Sequence, residues 1–134
     1  MPQHRGPVLV VDDDAAVRHS LKFSLELEGL AVRLYEDAAQ LLRDAALPRA
    51  GCLVVDARMP GMDGVQLVGL LRARNIDLPA ILITARCSPE LRRRAAEAGF
   101  RRVVEKPFED GSLLDGIHDA LAGAAPGWPL RKTP

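Results

Sequence analysis

Residues 52–64 read C-L-V-V-D-A-R-M-P-G-M-D-G, and this stretch decides the fold. The apolar run 52–55 has the length of a strand and no polar alternation, as a strand buried on both faces requires. Asp56 ends it, Pro60, Gly61 and the Asp63-Gly64 turn follow, and Val65, Val68 and Leu71 then recur at helical spacing. Outward from this unit the same order repeats. Strands are expected at 7–11, 31–35, 80–84 and 102–104, with the first and fourth runs continuously aliphatic. Between them, Val17, Leu21 and Leu25 mark a first helix, Leu41, Leu42 and Ala45 a second, and Leu113, Leu114, Ile117 and Leu121 a fifth. The fourth helix opens at Ser88-Pro89, a cap followed by proline at the first helical position, and stops at Gly99. Strict alternation of five strands and five helices predicts an α/β fold of three layers around a parallel sheet.

The 134 residues suit one compact domain. With 48% hydrophobic and 27% charged residues, the composition is that of a globular protein. Eighteen basic residues balance eighteen acidic ones, without the basic excess of a nucleic-acid binder. Two cysteines, Cys52 and Cys87, are too few for a disulfide scaffold, and the four-residue apolar run near the N-terminus is too short for a leader or a membrane span. A cytoplasmic home is expected. The domain is expected over residues 1–122, followed by a Pro/Gly-rich tail or linker, 123–134.

Polar residues collect where the strand runs end: Asp12-Asp13-Asp14 after the first, Asp56 after the third, Thr84 at the fourth, Lys106 just past the fifth. In an open parallel sheet, ligands sit beyond those carboxyl ends. Asp14 stands where the first helix needs an N-cap. Asp12 and Asp13 are not needed for capping, and two adjacent carboxylates repel, so a bound cation explains them better than solvation. Three Lys stand against fifteen Arg, so a lysine at this rim is a notable choice of compact charge.

V-V-D-D-D, V-V-D-A-R-M-P-G-M-D-G, I-L-I-T-A and V-E-K-P-F, in this order and spacing, resemble a response-regulator receiver domain of the FixJ type over about residues 7–122. The resemblance implies a flavodoxin-like sheet in strand order 2-1-3-4-5 and phosphoryl transfer from a sensor histidine kinase to an aspartate. By position, Asp56 would be the phosphoacceptor. Asp12, Asp13, Asp56 and the backbone carbonyl of Arg58 would hold Mg²⁺, with Thr84 as switch hydroxyl and Lys106 as the family's lysine. The physics agrees: three clustered carboxylates repel an anionic donor, and a hard cation relieves that. Such a domain is no enzyme beyond its own phosphorylation and dephosphorylation. The motif departs from the family at Val103, three residues before the lysine, where an aromatic is usual. Arg58 and Arg86 are expected to flank the phosphoryl group, and the Lys106–Pro107 bond to be cis.

Nothing after Leu121 reads as the helix-turn-helix domain that FixJ-type regulators often carry. The chain is therefore read as a single-domain regulator working through protein partners, without nucleic acid or membrane, or as the receiver half of a longer DNA-binding regulator. A homodimer is expected through the fourth helix (Arg92, Arg93, Arg94), the fifth strand and the fifth helix (Asp115, His118, Asp119). The alternative from another class is a small Mg-dependent aspartate-nucleophile phosphatase. That chemistry needs an acid/base aspartate two residues past the nucleophile, where Arg58 stands.

Overall fold

The computed structural model describes residues 6–108 and 111–123. The expected tail thus falls, beyond Gly123, outside the described residues. The elements alternate as β1 (Val8–Val11), α1 (Ala15–Leu27), β2 (Val32–Tyr35), α2 (Ala38–Leu42), β3 (Cys52–Asp56), α3 (Gly64–Ala73), β4 (Ala80–Thr84), α4 (Pro89–Ala98), β5 (Arg102–Glu105) and α5 (Ser112–Leu121). The five strands are parallel and ordered β2-β1-β3-β4-β5. Among the described residues, no helix is long and apolar enough to cross a membrane.

The aliphatic runs are the inner strands. Every residue of β1, β3 and β4 is buried, while the edge strands β2 and β5 are only partly covered. Strand periodicity sorts their side chains onto two faces. Leu9, Val11, Leu53, Val55 and Leu82 pack with Leu41 of α2, Leu67 and Leu71 of α3 and Ala95 of α4. Val8, Val10, Val54, Ile81 and Ile83 pack with Leu21 and Leu25 of α1 and Leu113 and Ile117 of α5. Each fully buried Leu or Ile contributes about 1.5–3 kcal/mol, and these two cores hold the sheet's carboxyl edge rigid.

The caps aim the helices away from that edge. Asp14 caps α1, accepting from the amides of Ala16 at 2.9 Å and Val17 at 3.3 Å. Asp63 and Gln66 form a reciprocal capping box on α3. Ser88 caps α4 ahead of Pro89, and Gly99 ends it at φ 93°. Gly64 is there for another reason: a Cβ at that position would lie 2.4 Å from the carbonyl oxygen of Asp56. Only glycine lets α3 start this close to the end of β3.

Three expectations are corrected. The second helix stops at Leu42, and Ala45 is exposed in the turn beyond it. On α5, Leu113, Gly116, Ile117 and Ala120 are the buried residues, while Leu114 and Leu121 are half-buried and pack at the margin of the same core; a Cβ at Gly116 would lie 2.8 Å from Cδ of Arg102, so the sequence pattern of large apolar residues misses this small one. Strand ends shift by one residue, with Asp56 and Glu105 inside β3 and β5, since ladder bonds such as Lys106 N–H to the Thr84 carbonyl (2.8 Å) extend the pairing.

Candidate functional site

The carboxyl edge of β1, β3, β4 and β5 gathers the polar residues that their positions in the sequence single out. Asp12 follows β1 and is fully buried, Asp56 ends β3 at 7% exposed, and Thr84 ends β4 at 4%; these three are the buried polar residues among those described. Asp13 is exposed on the rim. One oxygen from each of Asp12, Asp13 and Asp56 lies within 4.8 Å of the others. Lys106 reaches back from the β5 end, its Nζ 3.3 Å from Asp12 Oδ2 and 3.7 Å from Asp56 Oδ2. The Lys106–Pro107 peptide is cis.

Each acid is positioned by its own loop. The Asp14 amide donates to Asp12 Oδ1 at 2.9 Å, and the Arg18 guanidinium donates to the Asp12 carbonyl at 2.7 Å, tying the start of α1 to the site. The Arg58 amide donates to Asp56 Oδ1 at 3.3 Å. Burial and then the neighbouring Asp12 carboxylate push the Asp56 carboxyl up to about 6, against the pull of Lys106 and the Arg58 amide. One ammonium among three carboxylates leaves excess negative charge on hard oxygen donors. The donor set suits a hard divalent cation.

Beside Asp56 opens a cavity of about 480 Å³ lined by Arg58, Thr84, Ala85, Arg86, Ser88 and Lys106. Arg58 and Arg86, both exposed, are part of its lining. The Thr84 hydroxyl is engaged locally. It donates to the Arg86 carbonyl at 3.0 Å and accepts from the Arg86 amide at 3.3 Å. Val103 is half-buried on β5.

Two features escaped the sequence reading. Glu105, in register with Thr84, accepts from the Cys87 amide at 2.7 Å; a charged residue at the last position of a strand beside the site was the available signal. A second cavity, about 720 Å³ and mostly apolar, lies between α1 and a wall that includes Pro107, Phe108, Leu113 and Leu114. It is built from residues far apart in sequence. On α4 and α5 several of the charges have partners within the chain: Arg93 with Glu90 and Glu97, Arg94 with Asp63, and Asp119 with Arg102.

A response regulator receiver domain model matches residues 8–118. The transcriptional regulatory protein FixJ of Bradyrhizobium diazoefficiens is 40% identical over 124 residues, covering 91% of this chain and 60% of that protein. The C4-dicarboxylate transport transcriptional regulatory protein DctD of Pseudomonas aeruginosa is 40% identical over 114 residues, covering 85% of this chain and 25% of that one. The chain thus spans about three fifths of the FixJ protein it matches. Among solved structures, the crystal structure of FixJ-N superposes with a TM-score of 0.82 at 38% identity, covering 91% of this chain and 96% of that one. The chemotaxis protein CheY4 of Vibrio cholerae gives 0.79 at 26% identity, covering 87% and 99%.

Proposed function

Because the chain belongs to the response regulator receiver domain family of two-component signalling, we propose that Asp56 accepts a phosphoryl group from a sensor histidine kinase in a Mg²⁺-dependent reaction. The observation that carries this reading is the gathering of Asp12, Asp13 and Asp56 within 4.8 Å beside the Lys106 ammonium. In the transfer, an Asp56 carboxylate oxygen forms a bond to phosphorus as the bond to the kinase imidazole nitrogen breaks, and the departing imidazole takes up a proton. Asp56 must be ionised to attack; with its carboxyl at about 6, more than about nine tenths of the molecules qualify at pH 7.5. Asp12, Asp13, Asp56 and the Arg58 carbonyl would hold Mg²⁺, which supplies charge neutralisation for the approaching phosphoryl oxygens. Lys106 then pairs with one phosphoryl oxygen, and Thr84 donates to another after releasing the Arg86 carbonyl. Phosphorylation exchanges the carboxylate for a group with three strong acceptor oxygens, which is the signal.

The output we propose is protein association in the cytoplasm, with no nucleic acid bound by residues 1–122 and the remainder serving as tail or linker. A homodimer through α4, β5 and α5 remains the favoured arrangement; among the described residues Asp115 has no ion-pair partner of its own. The phosphatase alternative lacks its acid/base group, since Arg58 occupies that position.

Incubation with acetyl phosphate and Mg²⁺, read by intact mass, tests the proposal. Wild type should gain the mass of one phosphoryl group, and Asp56→Asn should gain none. An adduct that persists in Asp56→Asn refutes the assignment, and steady turnover of a simple phosphomonoester would favour the phosphatase.

A further inference from the structure

The Thr84 hydroxyl has one proton, and the resting structure gives it to the Arg86 carbonyl. The short turn 84–86 therefore has to open before Thr84 can donate elsewhere. The next residue of that turn, Cys87, is held from outside it: its amide donates to Glu105 Oε2 at 2.7 Å, across 18 residues of chain. Glu105 and Thr84 are register partners on β5 and β4, and the Lys106 amide donates to the Thr84 carbonyl at 2.8 Å. The backbone under Thr84 is thereby fixed by the sheet, while the loop that carries its acceptor is tied to β5 through the Glu105 carboxylate. Arg92 of α4 adds a contact to the same residue, its Nη2 3.3 Å from Cys87 Sγ. Val103, two residues earlier on β5, is a half-buried aliphatic group with no polar atom to share in this control.

We propose that Glu105 is a positioning residue that clamps the β4–α4 loop in its resting arrangement and so sets how readily Thr84 turns to the phosphoryl group on Asp56. The clamp rests on the receiver reading given above and adds the residue that regulates it. A hydrogen bond to an ionised acceptor is among the stronger single contacts available to a loop, and Glu105 itself is exposed, so its removal loosens the loop without opening the core.

The test is titration of the full chain with beryllofluoride in saturating Mg²⁺, followed by the ¹H–¹⁵N resonance of Cys87. Glu105→Ala should bind beryllofluoride about 3- to 10-fold more tightly than wild type, the ratio expected from one hydrogen bond at an exposed site, where water screens its charge. Glu105→Gln, which keeps a neutral acceptor, should fall between the two. The Cys87 amide should move upfield in Glu105→Ala, and the affinity for Mg²⁺ alone should stay within about twofold of wild type, a split that mere loosening of the fold would not produce. In a Thr84→Ala background, Glu105→Ala should change the beryllofluoride affinity no further. Unchanged or weaker binding by Glu105→Ala, or a full gain in the absence of the Thr84 hydroxyl, overturns the clamp. If wild type takes up no beryllofluoride, or Asp56→Asn takes it up equally, the receiver reading itself falls and the clamp with it.

Discussion

Replacing Asp56 by Asn should make the metal-free protein more stable, although it removes the residue on which the proposed function depends. Folding raises the Asp56 carboxyl from 3.8 to about 6, first through burial and then through Asp12. The folded state therefore holds the proton more tightly than the unfolded chain. The stability that this proton confers is full below pH 3.8, is lost as pH rises through about 6, and is absent at neutral pH. Charging Asp56 in the folded state costs about 3 kcal/mol at 1.36 kcal/mol per pH unit, and water at the open rim reduces this toward about 1. Asn keeps the size and the contact to the Arg58 amide while removing the charge. In EDTA at pH 7.5, Asp56→Asn should therefore gain about 1–3 kcal/mol in urea unfolding, or about 4–12 °C in Tm. The gap between variant and wild type should narrow from pH 6 to pH 4 and close below it. Asp44, whose carboxyl is lowered chiefly by its hydrogen bond from Tyr35, acts in the opposite direction but equally in both proteins, so it cancels in the difference. Mg²⁺ at about ten times its Kd should stabilise wild type by about 1.4 kcal/mol and the variant by less. A variant no more stable than wild type at pH 7.5, or a gap that persists at pH 3.5, would refute the repulsion argument.

Three further outcomes follow from particular contacts. Gly64→Ala, a change that in an ordinary helix gains up to about 1 kcal/mol, should here destabilise by about 1–3 kcal/mol, because the new Cβ meets the Asp56 carbonyl at 2.4 Å; urea midpoints decide the sign. The double change Arg58→Asn and Arg86→Ala opens the mouth of the cavity beside Asp56, and the acyl phosphate should hydrolyse severalfold faster; an unaltered rate of phosphate release would show the two arginines to be mere solvated side chains. Arg93→Glu with Arg94→Glu should weaken beryllofluoride-induced association, and a dimer indifferent to that reversal in sedimentation would place the interface elsewhere; loss of the pairs to Glu90, Glu97 and Asp63 should itself change stability by less than about 1 kcal/mol each.

Strand and helix order, the three layers and the buried inner strands were legible in the sequence because a strand covered on both faces has to be aliphatic along its length, as 8–11 and 80–83 are. The caps were legible too: Asp14, Ser88-Pro89 and Gly99 act within a few residues of themselves, so short-range pattern suffices. So was the polar rim, since four of the five strand runs end at or beside one of its residues. What the sequence could not show depends on contacts between distant segments. The second helix ends at the turn after Leu42, and the need for glycine at position 116 of α5 comes from the Arg102 side chain reaching it from β5. The Asp56 carboxyl is raised first by its burial at the end of β3 and then by Asp12, and both depend on tertiary structure: the pairing of β1 with β3 brings Asp12 beside it. The arginines of α4 look like an open basic surface along the chain, yet Arg94 meets Asp63 from α3. The hold of Glu105 on Cys87 is the plainest case: 18 residues apart, they meet because β4 and β5 pair in a register that sets Thr84 opposite Glu105. Local pattern determines which residues stand at the edge of the sheet, and only sheet pairing determines which of them share a proton, a charge or a loop.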